Sequence, residues 1–562
     1  MKTLFWTTLI LLSIQIANSD VNGGKGCAAC TLTIGVLEQL AQLHAMDIAD
    51  TFATACHLFP QGVFKEGCKD ALEFISPLAI ELLEAKATPD VVCQAMGVCF
   101  TEHGKPTCNI YPLPEGGFAK TIWKHRNITR TFRNKFGPKV SICDLPGIHD
   151  ICQSIERFSA HYPLIDLDGD SFSTIETLRG SDWRGRDCND ALLSHYPGRR
   201  PLENDTFSDS NCNGIYGINP DTGESFEKEL CQGTPHRGVA ALGDSASAHF
   251  HIPKEWVTPT LMNKKVFQYL PYVVANELDW PMASSVTGYL NVTWPIINGP
   301  TDSLYMRMLE RNRCIHRDYQ NIAVNGARSS SMPKLQKTLS RNQTRDHPLT
   351  VVYSLLANDV CNGHEDTVAA MTTPKEMKEN VLTTLEYLKQ TLPYGSKVIL
   401  TSLIDGRPLY EHLHKRIHPL GELRQDMTYS NFYDYLDCLQ ITPCAGYLTS
   451  NATLRNITSE RAASLSKVIK DIVGEYFYPN FEMIYYELSL PEVFEEYEKE
   501  HGKYTAWQLL DAVDGFHPSQ IGQAALSRRL WETLEKHHPE FLGEINLYND
   551  KISQIFGDQG GY

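Results

Sequence analysis

The sequence has no surplus of positive charge. It contains 51 Lys and Arg residues against 67 Asp and Glu residues, which gives a formal net charge of −16 at pH 7. Proteins that bind nucleic acids draw most of their affinity from basic side chains that neutralise phosphates. The composition therefore argues against a nucleic-acid partner, and it leaves carboxylates available for metal ions.

Long apolar runs are equally scarce. One run, at residues 4–16, follows Lys2 and precedes small residues at positions 17–19, which is the pattern of a secretory signal peptide. That run is too short to span a bilayer comfortably, and no later stretch offers about 18 uninterrupted apolar residues. We therefore predict a signal peptide at residues 1–19 and a soluble mature chain.

The even number of cysteines, 16, suits the oxidising compartment that a signal peptide implies, because cysteines there are mostly paired. The sequence also contains acceptor triplets for N-linked glycans, which agree with that compartment. They stand at Asn127, Asn204, Asn291, Asn342, Asn451 and Asn456. We predict a protein that is secreted, or that resides in lysosomes or other intracellular vesicles.

A chain of 562 residues exceeds what one hydrophobic core usually organises, so at least two domains are expected. The first is indicated at residues 23–103, where segments of helix-forming residues, apolar at helical spacing, separate six cysteines. A unit this small buries little core, so disulfides would supply much of its stability. The cysteines are Cys27, Cys30, Cys56, Cys68, Cys93 and Cys99.

This cysteine spacing resembles the saposin B-type domain, a small helical fold that binds lipid. The spacing by itself permits many pairings. The alternative interpretation is a helical disulfide domain without a role in lipid binding. The resemblance implies nested disulfides, which would join Cys27 to Cys99, Cys30 to Cys93 and Cys56 to Cys68.

Residues 104–160 are predicted to form a linker. Its segment 118–143 contains basic residues and no acidic residue, which is unusual in an acidic protein. The segment suits an exposed site for processing proteases, a surface for phosphorylated head groups, or an ordinary solvated stretch. Its basic residues are Lys120, Lys124, Arg126, Arg130, Arg133, Lys135 and Lys139.

In the region 161–232, oxygen-bearing side chains recur at alternate positions in two runs. The first reads Asp-Leu-Asp-Gly-Asp from Asp166, and the second reads Asp-Ser-Asn-Cys-Asn-Gly from Asp209. Alternation aims successive oxygens at one hard cation, and all-oxygen ligands favour Ca²⁺ over zinc. Neither run has the glutamate that an EF-hand places at its twelfth position. We predict calcium-binding loops; the alternative is turn formation, which Asp, Asn and Gly also favour.

A nucleophile is indicated at Ser245, which follows the apolar segment Gly238–Leu242, a predicted buried strand. A hydroxyl beyond a strand's carboxyl end lies where α/β sheets form their sites, but it needs a base to take its proton. Asp514 and His517 offer an acid–base pair, because one loop can present side chains three residues apart. A helix is predicted to begin near Gln520.

Two further positions suit donors for a developing oxyanion. Gly326 follows a predicted strand at Ile322–Val324, and its backbone N–H is unshielded by a side chain. Asn358 follows a second predicted strand at Val351–Leu356 and could donate its side-chain N–H. Removing one such donor typically lowers the rate about 100- to 1,000-fold.

The serine, glycine, asparagine and histidine of these segments occur in the order of the four named residues of the SGNH, or GDSL, hydrolases, which residues 233–562 resemble. The resemblance implies an α/β flavodoxin-like fold, with a parallel sheet and flanking helices, and ester hydrolysis through an acyl-enzyme. One departure is visible, because Leu356 stands where the class usually has glycine. This departure concerns the shape of the loop more than its chemistry.

His249 and His251, close to Ser245, could suggest a metal pair, but no third ligand completes a zinc motif. We expect them to shape the site or to form hydrogen bonds within it. Cys361 is expected in a disulfide rather than as a nucleophile, because the compartment is oxidising.

The combination of saposin-like domain, calcium-type loops and SGNH hydrolase resembles the acyloxyacyl hydrolase family. The resemblance implies removal of secondary acyl chains from lipid A of bacterial lipopolysaccharide, which detoxifies it. It implies two subunits cut from one precursor and linked by a disulfide, for which Cys108 is a candidate. It favours Glu227 over Glu224 as a calcium ligand. The full set of implied ligands is Asp166, Asp168, Asp170, Phe172, Asp187, Asp190, Asp205, Asp209, Asn211, Asn213, Ile215 and Glu227.

Two other functions remain open. The same catalytic residues would serve a phospholipase or broad lipid esterase, because pocket shape rather than motif selects the head group. An inactive hydrolase fold could also serve a lipid-binding protein. In each case the partner is a lipid, which the protein would bind at a membrane or lipid-aggregate surface.

Overall fold

The computed structural model describes residues 21–114, 116–136, 139, 161–364 and 366–562. The predicted signal peptide and most of the linker's second half, including Cys143 and Cys152, lie outside these ranges. Within them, a group of helices occupies the N-terminal part, and a sheet with flanking helices begins at Gly238.

The N-terminal helices begin and end at residues suited to their caps. The Asp47 side chain accepts a hydrogen bond from the Asp50 N–H (2.7 Å) at the start of the second helix, and Pro89 occupies the first turn of the fourth. Gly97 ends that helix in a left-handed conformation (φ 81°). The helices are α1 Gly24–His44, α2 Ile48–Ala55, α3 Val63–Glu84, α4 Pro89–Met96, α5 Gly117–Lys124 and α6 Arg126–Phe136.

Three disulfides tie these helices together. Two join α1 to α4 and its C-terminal continuation, and the third joins the end of α2 to α3. All six sulfur-bearing side chains are buried. The pairs are Cys27–Cys99, Cys30–Cys93 and Cys56–Cys68. The pairing that the saposin resemblance implies is confirmed.

Among the described residues, one helix, Val21–His44, is long and apolar enough to cross a membrane. However, 67% of its most apolar stretch is buried inside the protein. Its buried positions include two disulfide cysteines and the core residues Ile34 and Leu37. Its apolar character is therefore explained by its place in the core of the N-terminal domain.

The second part of the chain is built on a five-stranded parallel sheet with the order β2-β1-β3-β4-β5. Strands β1, β3 and β4 are buried at every position, as expected for a parallel sheet covered on both faces. This order is flavodoxin-like, so the predicted fold class is confirmed. The strands are β1 Gly238–Gly243, β2 Tyr319–Asn321, β3 Leu349–Ser354, β4 Ser396–Thr401 and β5 Phe481–Tyr486.

The remaining helices vary greatly in length, and the longest ones cover the sheet. Thr373 and Glu376 form a capping box at the start of one of them. The helix predicted near Gln520 begins at that residue. The helices are α7 Phe226–Leu230, α8 Ser245–Ala248, α9 Lys264–Phe267, α10 Leu270–Ala275, α11 Leu304–Arg311, α12 Met332–Leu335, α13 Pro374–Thr391, α14 Arg407–Leu413, α15 Tyr429–Cys438, α16 Ala452–Glu475, α17 Leu490–His501, α18 Gln520–His537 and α19 Asn549–Phe556.

Two strands lie earlier in the sequence than the apolar pattern predicted. Strand β2 ends at Asn321, before the predicted segment 322–324, and β3 ends at Ser354 rather than at Leu356. Segment 322–324 nevertheless runs beside β1, because the Ile322 N–H donates to the Ala241 carbonyl (2.8 Å). The apolar pattern continues past each strand because the residues that follow β2 and β3 are also buried.

Residues 161–237 form mostly loops that lie against the edge strand β2. An isolated bridge pairs Arg184 with Gln320, and a second pairs Arg199 with Asp346. Covering an edge strand in this way protects its unpaired backbone groups. Disulfides Cys188–Cys212 and Cys231–Cys314 hold the loops in place.

The helical domain packs directly against the hydrolase domain. The Phe59 ring meets the Phe267 ring edge to face, with centroids 4.7 Å apart, and Leu32 joins the apolar core of the hydrolase. A disulfide between Cys108 and Cys438 links the two domains, and Cys361 pairs with Cys444 as expected. No described cysteine is free. These disulfides are consistent with a secretory route.

Candidate active site

Ser245 lies where strand β1 meets helix α8. The turn between them is tight, because a Cβ at Gly243 would come within 2.5 Å of the Ser247 side chain. The Asp244 carboxylate begins the helix by accepting a hydrogen bond from the Ala246 N–H (3.1 Å). Since β1 and β3 flank the point where the strand order reverses, Ser245 faces the crevice in which such sheets bind ligands.

Asp514 and His517 meet Ser245 from the opposite end of the hydrolase domain. The His517 Nε2 atom lies 2.7 Å from the Ser245 Oγ atom, and its Nδ1 atom lies 2.5 Å from Asp514 Oδ2. The other Asp514 oxygen accepts hydrogen bonds from the N–H groups of Phe516 (2.8 Å) and His517 (3.1 Å). The structure thus brings together three residues predicted from two distant segments.

The electrostatics of this pair favour an ionised carboxylate beside a basic imidazole. Burial acts to raise the pKa of Asp514, but the adjacent His517 and its hydrogen bonds outweigh burial and hold that pKa below its ordinary value. Burial acts to lower the pKa of His517, but the Asp514 carboxylate outweighs it and raises that pKa. The imidazole is therefore suited to take a proton from a serine hydroxyl.

The predicted oxyanion donors lie beside the same crevice. Gly326 has φ 74° and open space where a Cβ would stand, and the preceding backbone follows β1 because the Val324 N–H donates to the Gly243 carbonyl (3.2 Å). Asn358 is half-buried beyond the end of β3. Within the part of the chain described, the Gly326 N–H and the Asn358 side chain form no hydrogen bond, which leaves both donors available.

Leu356, the departure from the class pattern, does not disturb the loop. Its φ is not positive, so the backbone conformation does not require glycine. Its N–H donates to the second Asp244 oxygen (2.8 Å), and its side chain is buried. The neighbouring Asp359 is buried and accepts hydrogen bonds from the N–H (2.9 Å) and hydroxyl (2.6 Å) of Ser329. These two carboxylates connect the loops that follow the strands.

A carboxylate that the motif analysis did not single out, Asp511, joins the two halves of the site. One of its oxygens accepts hydrogen bonds from the N–H groups of Val513 (2.8 Å) and Asp514 (3.0 Å). The other lies 2.6 Å from His251 Nδ1 and accepts from the Ile252 N–H (3.2 Å). His251 therefore forms hydrogen bonds within the site, as expected. The Asp-x-x-Asp-x-x-His spacing was the available sequence signal for Asp511.

The first acidic run gathers carboxylates from two loops. Ligand oxygens of Asp166, Asp168 and Asp170 lie within 4.8 Å of one another, as do those of Asp168, Asp187 and Asp190. One oxygen each of Asp168, Asp170 and Asp187 is buried without a hydrogen-bond partner among the described residues. Burial, reinforced by neighbouring carboxylates, raises the pKa of Asp170 to about 8 and that of Asp187 to about 7. Such a donor set fits a hard divalent cation.

Phe172, the predicted carbonyl ligand, is buried at the end of the same run, and its N–H donates to Asp170 (2.8 Å). In the second run, Glu227 is buried and accepts hydrogen bonds from the side-chain amides of Asn211 (3.2 Å) and Asn213 (2.9 Å). Burial raises the pKa of Glu227 to about 8.

Glu224 instead is exposed and pairs with Lys228 (2.6 Å). Asp205 and Asp209 lie near enough for their charges to act on Glu227. Asp205 has one buried oxygen without a partner among the described residues, and Asp209 accepts hydrogen bonds from two N–H groups of its own loop. Ile215 is fully buried beside them. This second cluster also offers mainly oxygen ligands.

Comparison with known proteins agrees with this architecture. Residues 26–153 match the saposin-like domain, and residues 239–530 match the GDSL-like lipase/acylhydrolase family. The chain is 43% identical to an acyloxyacyl hydrolase of Homo sapiens, over 98% of each chain. It is 43% identical to that of Oryctolagus cuniculus (95% of this chain, 93% of the relative) and 42% identical to that of Mus musculus (100% and 99%). The chain therefore belongs to the acyloxyacyl hydrolase family and is an ester hydrolase that joins a saposin-like domain to a GDSL-like acylhydrolase domain.

Proposed function

We propose that Ser245, His517 and Asp514 form the catalytic triad of this ester hydrolase. The observation that carries the proposal is the continuous hydrogen-bond chain from the Ser245 hydroxyl through His517 to Asp514 at the sheet's crevice. His517 takes the hydroxyl proton as Ser245 Oγ attacks the ester carbonyl carbon. Gly326 and Asn358 donate hydrogen bonds to the oxyanion that forms on the carbonyl oxygen.

The acyl-enzyme forms when the carbon–oxygen bond to the alcohol breaks. His517 gives its proton to the leaving alkoxide, and the acyl group stays on Ser245 as an ester. A water molecule then loses a proton to His517 and attacks that ester, which releases the free fatty acid and returns the proton to Ser245. Asp514 keeps its negative charge and stabilises the imidazolium at each stage.

The substrate that we propose is an acyloxyacyl group, from which the enzyme removes the secondary acyl chain. The names of the relatives support this reaction. In bacterial lipopolysaccharide such chains are carried by lipid A, and their removal would detoxify it. A phospholipid with an accessible ester is the competing substrate class that the same triad could serve. We propose that the enzyme acts outside cells, in lysosomes, or in both.

Buried aromatic side chains connect the site to the saposin-like domain. The Phe250 ring lies 4.7 Å from the His517 ring, and Phe250 belongs to the same buried core as Trp256 and Phe267. Phe267 in turn contacts Phe59 of the saposin-like domain. An acyl chain that leaves an aggregate loses about 0.8 kcal/mol per exposed methylene, so an apolar binding surface near the site would lower the barrier to extraction.

We propose that the acidic clusters bind Ca²⁺ as a structural ion. Asp166, Asp168, Asp170, Asp187 and Asp190, with the Phe172 carbonyl, would hold one ion. When bound, calcium supplies positive charge that neutralises buried carboxylates in the loops covering β2. Asp205, Asp209, Asn211, Asn213 and Glu227, with the Ile215 carbonyl, would hold another.

The Cys108–Cys438 bridge supports the proposal that processing yields two linked subunits. Its two cysteines are separated by 330 residues, and the basic linker lies between them. A cut in the linker would therefore leave the saposin-containing and catalytic parts covalently joined.

The variant Ser245→Ala tests the mechanism. We expect loss of at least about 1,000-fold in the rate of fatty-acid release from lipopolysaccharide, because the nucleophile is absent. Ser247→Ala is a matched control on the same helix, since among the described residues its hydroxyl forms one hydrogen bond, to the Ser354 carbonyl (3.4 Å). Thermal melting would show whether both variants are folded. Retained activity in folded Ser245→Ala would contradict the proposal.

A further inference from the structure

The loop that carries Asp514 and His517 is held by side chains from a distant segment. The Tyr429 hydroxyl donates to the Ala512 carbonyl (2.5 Å), and the Tyr433 hydroxyl donates to the Gly515 carbonyl (3.4 Å). Both tyrosines lie on helix α15, four residues apart and hence on one face. Two carbonyls on either side of Asp514 are thus fixed by one helix.

A third bond of the same kind comes from His418. Its Nδ1 atom accepts a hydrogen bond from the Leu420 N–H (3.2 Å), so its Nε2 atom carries the proton and donates to the Val513 carbonyl (2.7 Å). Burial lowers the pKa of His418 to about 4, which keeps this tautomer neutral. The loop is packed closely as well, because a Cβ at Gly515 would lie 2.2 Å from the Tyr433 oxygen.

The opposite face of α15 belongs to the saposin-like domain. Tyr435 is buried with its hydroxyl 3.6 Å from the Cys27 sulfur, and Cys438 forms the bridge to Cys108. Leu439, directly after the helix, packs in the core of the saposin-like domain. One ten-residue helix therefore contacts both the catalytic loop and the disulfide core of the other domain.

The segment that leads into α15 makes further contacts with helix α1. The Gln39 side chain donates to the Leu420 carbonyl (2.8 Å). Arg424 forms an ion pair with Glu38 (3.0 Å) and donates to the Gln42 side chain (2.8 Å). His418 and Leu420 are two residues apart, so the groups that hold the loop and the groups that bind α1 share one short stretch of backbone.

We infer that Tyr429, Tyr433 and His418 are positioning residues for the Asp514–His517 pair, and that α15 makes their position depend on the docked saposin-like domain. The inference rests on the triad of the proposed function. Its physical basis is that a displacement of about 1 Å in a catalytic group can lower the rate about 100-fold. The saposin-like domain would thus support turnover even of a substrate that needs no extraction from a lipid aggregate.

The variants Tyr433→Phe and Tyr429→Phe/Tyr433→Phe test the positioning role with a soluble short-chain p-nitrophenyl ester. We expect kcat to fall about 10-fold or more with KM unchanged, since the ester itself is bound as before. The acid limb of the pH profile is the range in which kcat/KM falls as pH decreases. We also expect this limb to move to lower pH, because a displaced Asp514 raises the pKa of His517 less. Tyr319→Phe is the control, because that buried hydroxyl donates to the Ser181 carbonyl (3.0 Å) on the β2 edge.

The double variant Cys108→Ser/Cys438→Ser tests the link between the domains. We expect the same two kinetic changes on the soluble ester, and a smaller added effect of Tyr433→Phe in this background than in the wild type. Cys56→Ser/Cys68→Ser is the control, since it removes a disulfide within the saposin-like domain that does not involve α15.

Wild-type kcat and an unmoved acid limb in the tyrosine variants would overturn the positioning role. The same result in the folded double-cysteine variant would overturn the link. A loss of activity that matches the unfolded fraction in thermal melting would also overturn the inference, because it would indicate stability alone. Ser245→Ala assayed in parallel separates these failures from failure of the triad, since only the latter leaves that variant active.

Discussion

At the scale of single residues, the proposed mechanism depends on how one short loop holds Asp514 and His517. The N–H groups of Phe516 and His517 occupy one Asp514 oxygen, which leaves the other free for the imidazole. The backbone orients the Asp514 carboxylate, and this carboxylate sets the tautomer of His517, with its proton on Nδ1 and its acceptor facing Ser245. Asp514 therefore contributes both orientation and charge.

Asp514→Asn removes the charge and keeps the shape of the side chain. We expect kcat to fall by about 10,000-fold, because the amide stabilises neither the required tautomer nor the imidazolium. Asp471→Asn is a suitable control, since Asp471 pairs with Lys467 on the surface of helix α16, away from the site. Steady-state hydrolysis of a soluble ester measures both variants, and a kcat within tenfold of wild type in Asp514→Asn would be incompatible with the assigned role.

The raised pKa of His517 predicts the acid side of the pH profile. Only neutral imidazole takes a proton from Ser245, so activity falls as pH drops through the His517 pKa. Because Asp514 raises that pKa, the acid limb of kcat/KM should lie above the ordinary histidine value of about 6.5. A pH titration of wild-type kcat/KM measures it, and an acid limb below pH 6 would count against the described electrostatics.

The meeting of Ser245, Asp514 and His517 was predictable because each stands in a short local pattern. Ser245 follows an apolar strand, and Asp514 and His517 share one loop. Most of the groups that hold this loop were not predictable. Asp511 shares the local Asp-x-x-Asp-x-x-His spacing with the pair, but Tyr433 acts across 82 residues of sequence. Such long-range contacts leave no trace in local spacing.

At the scale of elements, the strands were easier to predict than their ends. An apolar run marks β1 and β3 well, because both faces of a parallel sheet are buried. The apolar pattern also covers segment 322–324 beyond β2, because these residues are buried although they lie outside the strand. The apolar pattern in the sequence indicates which residues are buried. The end of a strand is instead set by where its backbone hydrogen bonds to the neighbouring strand end.

The acidic loops predict a stabilising effect of calcium. Chelation should lower the midpoint of thermal unfolding, because buried carboxylates would face one another without a cation. Added Ca²⁺ should restore the midpoint. Differential scanning calorimetry of the chelated protein, with and without added Ca²⁺, provides the test, and an unchanged midpoint would remove calcium from the account.

Glu227 and Glu224 provide a matched pair for this experiment. Glu227→Gln should weaken the calcium-dependent rise in the midpoint, because Glu227 lies in the second cluster. Glu224→Gln should leave that rise intact, since Glu224 is exposed and pairs with Lys228 at the surface. An equal calcium-dependent rise in the two variants would contradict a calcium ion bound by Glu227 in the second cluster.

At the scale of the whole molecule, the saposin-like domain and the hydrolase domain are packed together and joined by a disulfide. The resemblance to saposins implied the nested disulfides, but the partner of Cys108 had no sequence signal, because Cys438 lies 330 residues away. The packing of Phe59 on Phe267 was equally hidden. Domain composition could be read from the sequence, whereas domain contact required the structure.

We propose that this enzyme releases secondary acyl chains from lipid A. Mass spectrometry of lipopolysaccharide after incubation with the wild-type enzyme, with Ser245→Ala as the blank, tests it most directly. We predict loss of the acyloxyacyl-linked chains while the chains bound directly to the sugars remain. Release of the sugar-linked chains instead, or intact lipopolysaccharide under conditions in which phosphatidylcholine is hydrolysed, would contradict the account.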